Sequence, residues 1–391
     1  MNKRTEKAEA ICRREFLKGS AVAAGTAIVW PTILSSSSVF GAGARKAAQT
    51  PDPITGAEPA EGFGVNRGGL GGEEIVVTTF DELAKAINRS NVYIRVKGDL
   101  IATGKATIGS GSNLTIDGGG AATLWGNLNP SQRMLELTGK NLVIKDIRLR
   151  NSGDNLSFKT PAEYILVSHV TTSGAMDDGM SISYGTKNVT VQYCFFVGNT
   201  RSCFIKYQGA GNISLHHNWF KAQYMRGPLV SSAQFVDIRN QIGEGWATWG
   251  GPRFEKGATG NCINSVFVMT GAAPGKKDAA DYTYQDGGPA YFHGSIYRGC
   301  SGRPGNSERE IPCAPVTTHT AQEAEKIVRA AAGCLPRDAI DKAYAEGTKW
   351  PRMGERRPWL INVGPGRPFV PTESINKTDE GKATKKEGTD E

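Results

Sequence analysis

The chain has 391 residues, of which 39% are hydrophobic and 49 are glycine, and it carries a formal net charge of +8. That length can bury a large core, and the absence of heptads excludes a coiled coil. So many glycines fit a structure made of turns, and the basic balance calls for an anionic partner without naming one.

Residues 1–44 read as a leader. Arg13-Arg14-Glu15-Phe16-Leu17-Lys18 precedes an apolar, Ala-rich stretch at 21–30, and Ala42-Gly43-Ala44 offers a small-residue cleavage site. That order is a secretory signal, its paired arginines resemble a twin-arginine export signal, and the apolar part is short for a membrane anchor. Cleavage would remove six basic and three acidic residues and leave a charge of +5. An exported basic protein meets acidic polysaccharides and lipid head groups more often than nucleic acid. Of seven cysteines, Cys12 leaves with the leader and six remain, an even set. Cys194 is expected to pack inside as a small apolar residue; Cys300, Cys313 and Cys334 are the disulfide candidates.

Residues 45–61, rich in Pro and Ala, form a flexible lead-in. From Gly62 the glycine clusters lack a Walker lysine and a GxGxxG followed by a long helix, so they read as tight turns. Residues 74–78 look like a strand, and 81–88 carry helical periodicity with Asp81 near the start. A short helix here can cover the open end of a stacked structure.

The centre of the chain repeats one pattern. Asn141-Leu-Val-Ile, Tyr164-Ile-Leu-Val, Asn188-Val-Thr-Val, Asn212-Ile-Ser-Leu and Phe235-Val-Asp-Ile start 23, 24, 24 and 23 residues apart, and Asn113-Leu-Thr-Ile precedes them by 28. A fixed period of short aliphatic alternations bounded by Asn, Gly or Ser predicts stacked coils of strand and turn, an all-β parallel β-helix. Equivalent positions then lie about 4.8 Å apart, so the Asn column can hydrogen-bond along the axis, with Tyr164 stacking or pointing outward.

Stacking also gathers charge. Asp154, the pair Asp177-Asp178, Arg201 and Arg226 lie 24, 23 and 25 residues apart on consecutive coils. Carboxylates beside arginines make a site for a cation and a polyanion, whereas a row of solvated charges is the commoner arrangement for any one of them. His216 and His217 are adjacent, and neighbours on a strand point to opposite faces. They are therefore not expected to share one ion, and one of them should face outward near a groove. Trp246, Trp249 and Phe254 either stack on sugar rings at a groove edge or pack in the core.

The segments GFGVNRGG, DELAKAI followed by VKGDL, SNLTIDGGG, NLVIKDIRLRN, GDNLSF, VSHV, DDGMSISYGTKNVTVQYCFF, NISLHHNWF and MRGP occur in this order between Gly62 and Pro228. In that order the chain resembles polysaccharide lyase family 1, the pectate lyase-like enzymes, as a divergent bacterial member. The resemblance implies a right-handed single-stranded parallel β-helix that cleaves α-1,4-linked polygalacturonate by β-elimination with calcium. It implies Arg226 as the catalytic base, Asp154 and Asp178 as calcium ligands with Asp177 as a substitute, and Arg201 as the group binding the substrate carboxylate. Lys206, His169 and His217 complete the expected substrate contacts. The pattern's further acid falls on Ile182, its second arginine on Ser231, and the Asp of its WIDH segment on Ser168. Calcium affinity rises with ligand charge, so binding is expected to be weak or to require substrate.

Beyond residue 272 the coil pattern fades. A helix over 320–332 begins with Thr320 and Glu323 in capping-box spacing, and residues 372–391 alternate polar types without apolar anchors and are expected to be disordered. The expected plan is a leader (1–44), lead-in (45–61), β-helix (62–272), C-terminal extension packed on it (273–371) and tail (372–391). The expected partner is galacturonan, with calcium as cofactor, no nucleic acid, no stable membrane association after cleavage, and a monomeric state. The other readings are a non-catalytic carbohydrate-binding β-helix, a metal-independent pectin lyase, and a glycan hydrolase.

Overall fold

The computed structural model describes residues 54–55, 58–248, 251–269, 282–283, 287–302 and 305–347. The expected leader, the tail and Trp249 lie outside the described residues. Between residues 73 and 298 the chain winds through three parallel sheets of ten, eight and nine strands, forming a right-handed parallel β-helix. One coil runs from Arg133–Leu137 in the eight-stranded sheet to Lys140–Lys145 in the ten-stranded sheet and Arg148–Arg150 in the nine-stranded sheet, and then returns at Asp154–Phe158.

The period is explained by the inward rows. Leu135, Leu156, Met180 and Cys203 stack in register, as do Phe158, Ile182, Ile205, Val230 and Phe254. All nine are fully buried, so a one-residue slip would turn every one of them outward. Trp246 and Phe254 are likewise fully buried and belong to the core, not to a groove edge.

The Asn column does more than hydrogen-bond. Asn91, Asn113, Asn141, Asn188 and Asn212 all adopt left-handed φ of 52–59° at the corners opening strands of the ten-stranded sheet, as do Tyr164 and Phe235. Asn tolerates this region best among residues with a Cβ. Side-chain amides also run along the axis: Asn113 donates to Asn91, Asn141 to Asn113, and Asn212 to Asn188.

Two faces of the solenoid are covered. The helix Phe80–Ala86, capped by Thr79, packs against the first strands, as expected of an end cap. Residues 59–69 cross the ten-stranded sheet, where Thr190 donates to the carbonyl of Glu61 and Gly64 N–H donates to Thr190. A Cβ at Gly64 would lie 2.0 Å from the carbonyl oxygen of Ile165, so glycine here permits close approach of a strap as well as a turn. The end of the expected lead-in is therefore docked. On the nine-stranded sheet lie Ala321–Ala331, with its Thr320 capping box, and a second helix, Ala339–Glu346, which the sequence reading lacked.

Two further expectations are corrected. The coils continue past residue 272, because Ala290–His293 and Ile296–Arg298 add to the ten- and nine-stranded sheets. Cys313 and Cys334 carry free thiols, while Cys194 is fully buried as expected.

Candidate active site

The eight-stranded sheet keeps a part-exposed outer surface at Asp154, Asp177, Arg201, Phe204 and Lys206. Its register builds the site. The Leu156–Met180 pair brings Asp154 beside Asp178, Asp178 pairs with Arg201, and Arg201 bridges to Met225, the residue before Arg226.

Carboxylate oxygens of Asp154, Asp177 and Asp178 all lie within 4.8 Å of one another. Asp177 precedes the strand Asp178–Ser183, so strand alternation does not turn it away from its neighbour. Asp154 Oδ1 accepts from the backbone N–H of Asp178 at 3.1 Å. Ser157 donates to Asp154 at 3.2 Å and Ser181 donates to Asp178 at 3.0 Å. This Asp-x-x-Ser spacing, repeated on two coils 24 residues apart, was a signal available in the sequence and unused there.

Three cations face the three acids. Arg226 Nη1 donates to Asp178 Oδ1 at 2.9 Å, Lys206 Nζ lies 3.6 Å from Asp178 Oδ2, and Arg201 pairs with Asp177. Asp178 is almost wholly buried, and burial pushes its carboxyl up to about 6 although Arg226 pulls the other way. Burial also raises Asp154 and lowers Arg226, with Asp178 opposing the latter shift. Arg226 has a left-handed φ of 68°, an uncommon backbone state for a residue with a side chain and one that functional sites concentrate. Its guanidinium carbon lies 3.8 Å from the centroid of the Phe204 ring, while its buried Nε meets no hydrogen-bond partner among the described residues.

Ile182 points into the core and Ser231 is buried at the edge of this surface, so neither contributes charge. His169 and His217 are not brought to the acids. Both sit at left-handed corners ending strands of the ten-stranded sheet, and both are buried. His169 faces Glu58 at 3.0 Å, and Tyr193 stacks between His169 and His217. His216 is buried as well, contrary to the expectation that one of the pair faces outward, and the two Nδ1 atoms lie 3.0 Å apart. Burial lowers His216 to about 3 and His217 to about 2, so both are neutral near pH 7. The corner turn breaks the strand alternation on which that expectation rested.

The donor set fits a hard divalent cation: three carboxylates, with no thiol or imidazole among the clustered ligands. With three acids against three bases, the cluster is near neutral when all are ionised.

No family model matches the chain. Among curated proteins, a probable pectate lyase C of Aspergillus terreus is 24% identical over 265 residues, covering 61% of this chain and 58% of that protein. Another, of Emericella nidulans, is 26% identical over 217 residues, 49% of this chain and 48% of that protein. The chain thus spans about half the length of the curated relatives it matches. A pectate lyase from Bacillus sp. N165, solved in complex with trigalacturonate, has a TM-score of 0.55 at 16% identity over 70% of this chain and 98% of its own. A Bacillus subtilis pectate lyase gives 0.57 at 16% identity over 70% and 96%. The chain is therefore similar in sequence to fungal pectate lyases and shares the parallel β-helix of bacterial ones.

Proposed function

We propose that this chain is an exported polysaccharide lyase that cleaves polygalacturonate by calcium-assisted β-elimination. The observation that carries this reading is the cluster of Asp154, Asp177 and Asp178 facing Arg201, Lys206 and Arg226 on one part-exposed sheet. It is supported by the similarity to pectate lyases, one of them solved with trigalacturonate.

In a uronate, the C5 proton stands beside a carboxylate whose charge opposes its removal. Calcium held by Asp154, Asp177 and Asp178 would neutralise that carboxylate and the enolate-like charge that grows on it. Arg201, the most exposed of the three cations, binds the carboxylate of an incoming sugar by exchanging its contact with Asp177. Lys206 adds a second positive charge from the other end of the same strand. Arg226 takes the C5 proton as the C4–O4 bond breaks, the C4–C5 double bond forms and O4 leaves to be protonated by water. Arg226 must be the neutral guanidine to accept that proton, a demanding state for an arginine. Burial lowers its proton affinity, and Asp178, which opposes that shift, would oppose it less if it also held a divalent cation.

The test is the absorbance of the unsaturated uronide product, followed on purified protein with polygalacturonate. A rise with calcium that chelator abolishes is expected. No rise on any uronate polymer that the folded protein binds defeats the lyase reading, and a chelator-indifferent rate defeats the calcium.

A further inference from the structure

Phe204 lies in the middle of the eight-stranded sheet, paired with Ser181 on one coil and Leu229 on the next. Its strand neighbours Cys203 and Ile205 fill the core at full burial, so alternation turns Phe204 outward, into the surface that carries the charges. There it touches both cations that hold Asp178. The Arg226 guanidinium carbon lies 3.8 Å from its ring centroid, and Lys206 Nζ lies 4.6 Å from it.

In the present arrangement Arg226 is fixed by the ring and by a carboxylate oxygen of Asp178, and Lys206 by the ring, by Asp178 and by the Tyr207 ring at 5.6 Å. The carboxylate is also one of the three candidate ligands for a divalent cation. A divalent cation held by Asp178 would draw on the same carboxylate charge, and the hold of Asp178 on the two side chains would weaken. The ring does not compete for metal and remains. A phenyl face attracts cations through its quadrupole, most strongly where water is excluded, and it consumes none of their N–H donors. A guanidinium over its face can keep those donors free, and the Nε of Arg226, without a hydrogen-bond partner among the described residues, is such a donor.

We propose that Phe204 is a positioning residue of the lyase site, a platform that keeps Arg226 and Lys206 in place when Asp178 is engaged by the metal. The proposal rests on the lyase reading. It predicts a requirement for a π face, which an aliphatic side chain of similar volume does not meet and tyrosine does.

The experiment compares Phe204→Leu, Phe204→Met and Phe204→Tyr with the wild type in initial rates of unsaturated product and in thermal unfolding midpoint. Methionine is the second variant without a π face should leucine fail to fold. The Leu and Met variants are expected to lose about tenfold in kcat, the order of a partly desolvated cation–π contact, with KM changed less than about threefold. The Tyr variant should stay within about twofold of wild type, and the unfolding midpoints should not follow the rates. Aliphatic variants that turn over like the wild type overturn the proposal. So does a Tyr variant that falls as far as the Leu variant, because packing volume alone would then explain the loss. Calorimetric binding of trigalacturonate with calcium separates the two claims. A wild type that binds without forming unsaturated product defeats the lyase reading; the platform is then judged by binding alone, where a Leu variant weaker than the Tyr variant by up to about threefold supports it and equal binding overturns it.

Discussion

Arg226 and Asp178, 48 residues apart in sequence, form an ion pair of 2.9 Å across the eight-stranded sheet. The pair joins the proposed base to a proposed calcium ligand, so neither can be altered without disturbing the other. Asp178→Asn keeps the shape, removes the charge that Arg226 and Lys206 share, and leaves two carboxylates for the metal. Calcium affinity rises with ligand charge, and truncated charge pairs in buried sites are costly. Calorimetry with calcium and trigalacturonate should show affinity reduced by about tenfold or more, with turnover falling at least as far. Unchanged calcium affinity would remove Asp178 from the metal site.

Protonation of the same residue sets a pH dependence with two opposite signs. Burial raises Asp178 from its ordinary 3.8 to about 6, with Arg226 pulling down, and raises Asp154 as well. The native state therefore holds these protons more tightly than the unfolded chain. Between about pH 4 and 6 their contribution to metal-free stability grows as pH falls and is lost as pH rises through 6. Calcium requires the carboxylates ionised, so its affinity should fall as pH drops from 7 through 6. Calorimetric titration at stepped pH checks the second effect. A constant affinity from pH 7 to 5 would contradict the burial of these groups.

How much of this was legible in the chain depends on distance in sequence. The coils were legible because each repeats the apolar alternation of its neighbour, and the grouping of Asp154, Asp178, Arg201 and Arg226 followed because one coil separates stacked positions. Asp177 was ambiguous because its direction depends on whether the strand starts at it or after it. His169 and His217 were misplaced because corner geometry and contacts with Glu58 and His319 from distant segments decide their burial. Phe204 was missed because an aromatic on a strand carries no sign of the cations that a neighbouring coil lays over it.

The left-handed corners give a test of backbone against hydrogen bond. Asn212 has φ of 55° and donates to Asn188 at 3.0 Å. Alanine there loses the amide bond and pays the Cβ penalty of the left-handed region, together about 1–3 kcal/mol. Glycine loses the bond without the penalty, so Asn212→Gly should cost about 1 kcal/mol less than Asn212→Ala in urea unfolding. Equal losses would mean that the amide ladder alone accounts for the preference for asparagine.

On the far side of the solenoid, Asp341 holds the second C-terminal helix to the nine-stranded sheet. It is fully buried, accepting from Arg148 Nε at 3.0 Å, Arg150 Nη2 at 2.6 Å and the Thr171 hydroxyl at 3.2 Å. Both arginines are themselves buried and also pair with Asp338, so Asp341→Ala leaves two positive charges to share that one remaining carboxylate. Breaking a buried pair in this way costs about 3–5 kcal/mol, against at most about 1 kcal/mol for an exposed pair such as Arg89–Glu73. That cost falls on the docking of Ala339–Glu346 before it reaches the coils, because the coils retain their own ladders. Limited proteolysis should therefore cut Asp341→Ala between residues 332 and 347 under conditions where the wild type and Glu73→Ala stay intact. The lyase rate should change far less than the cutting, since Asp341 bonds arginines of the nine-stranded sheet whereas Asp178 lies in the eight-stranded one.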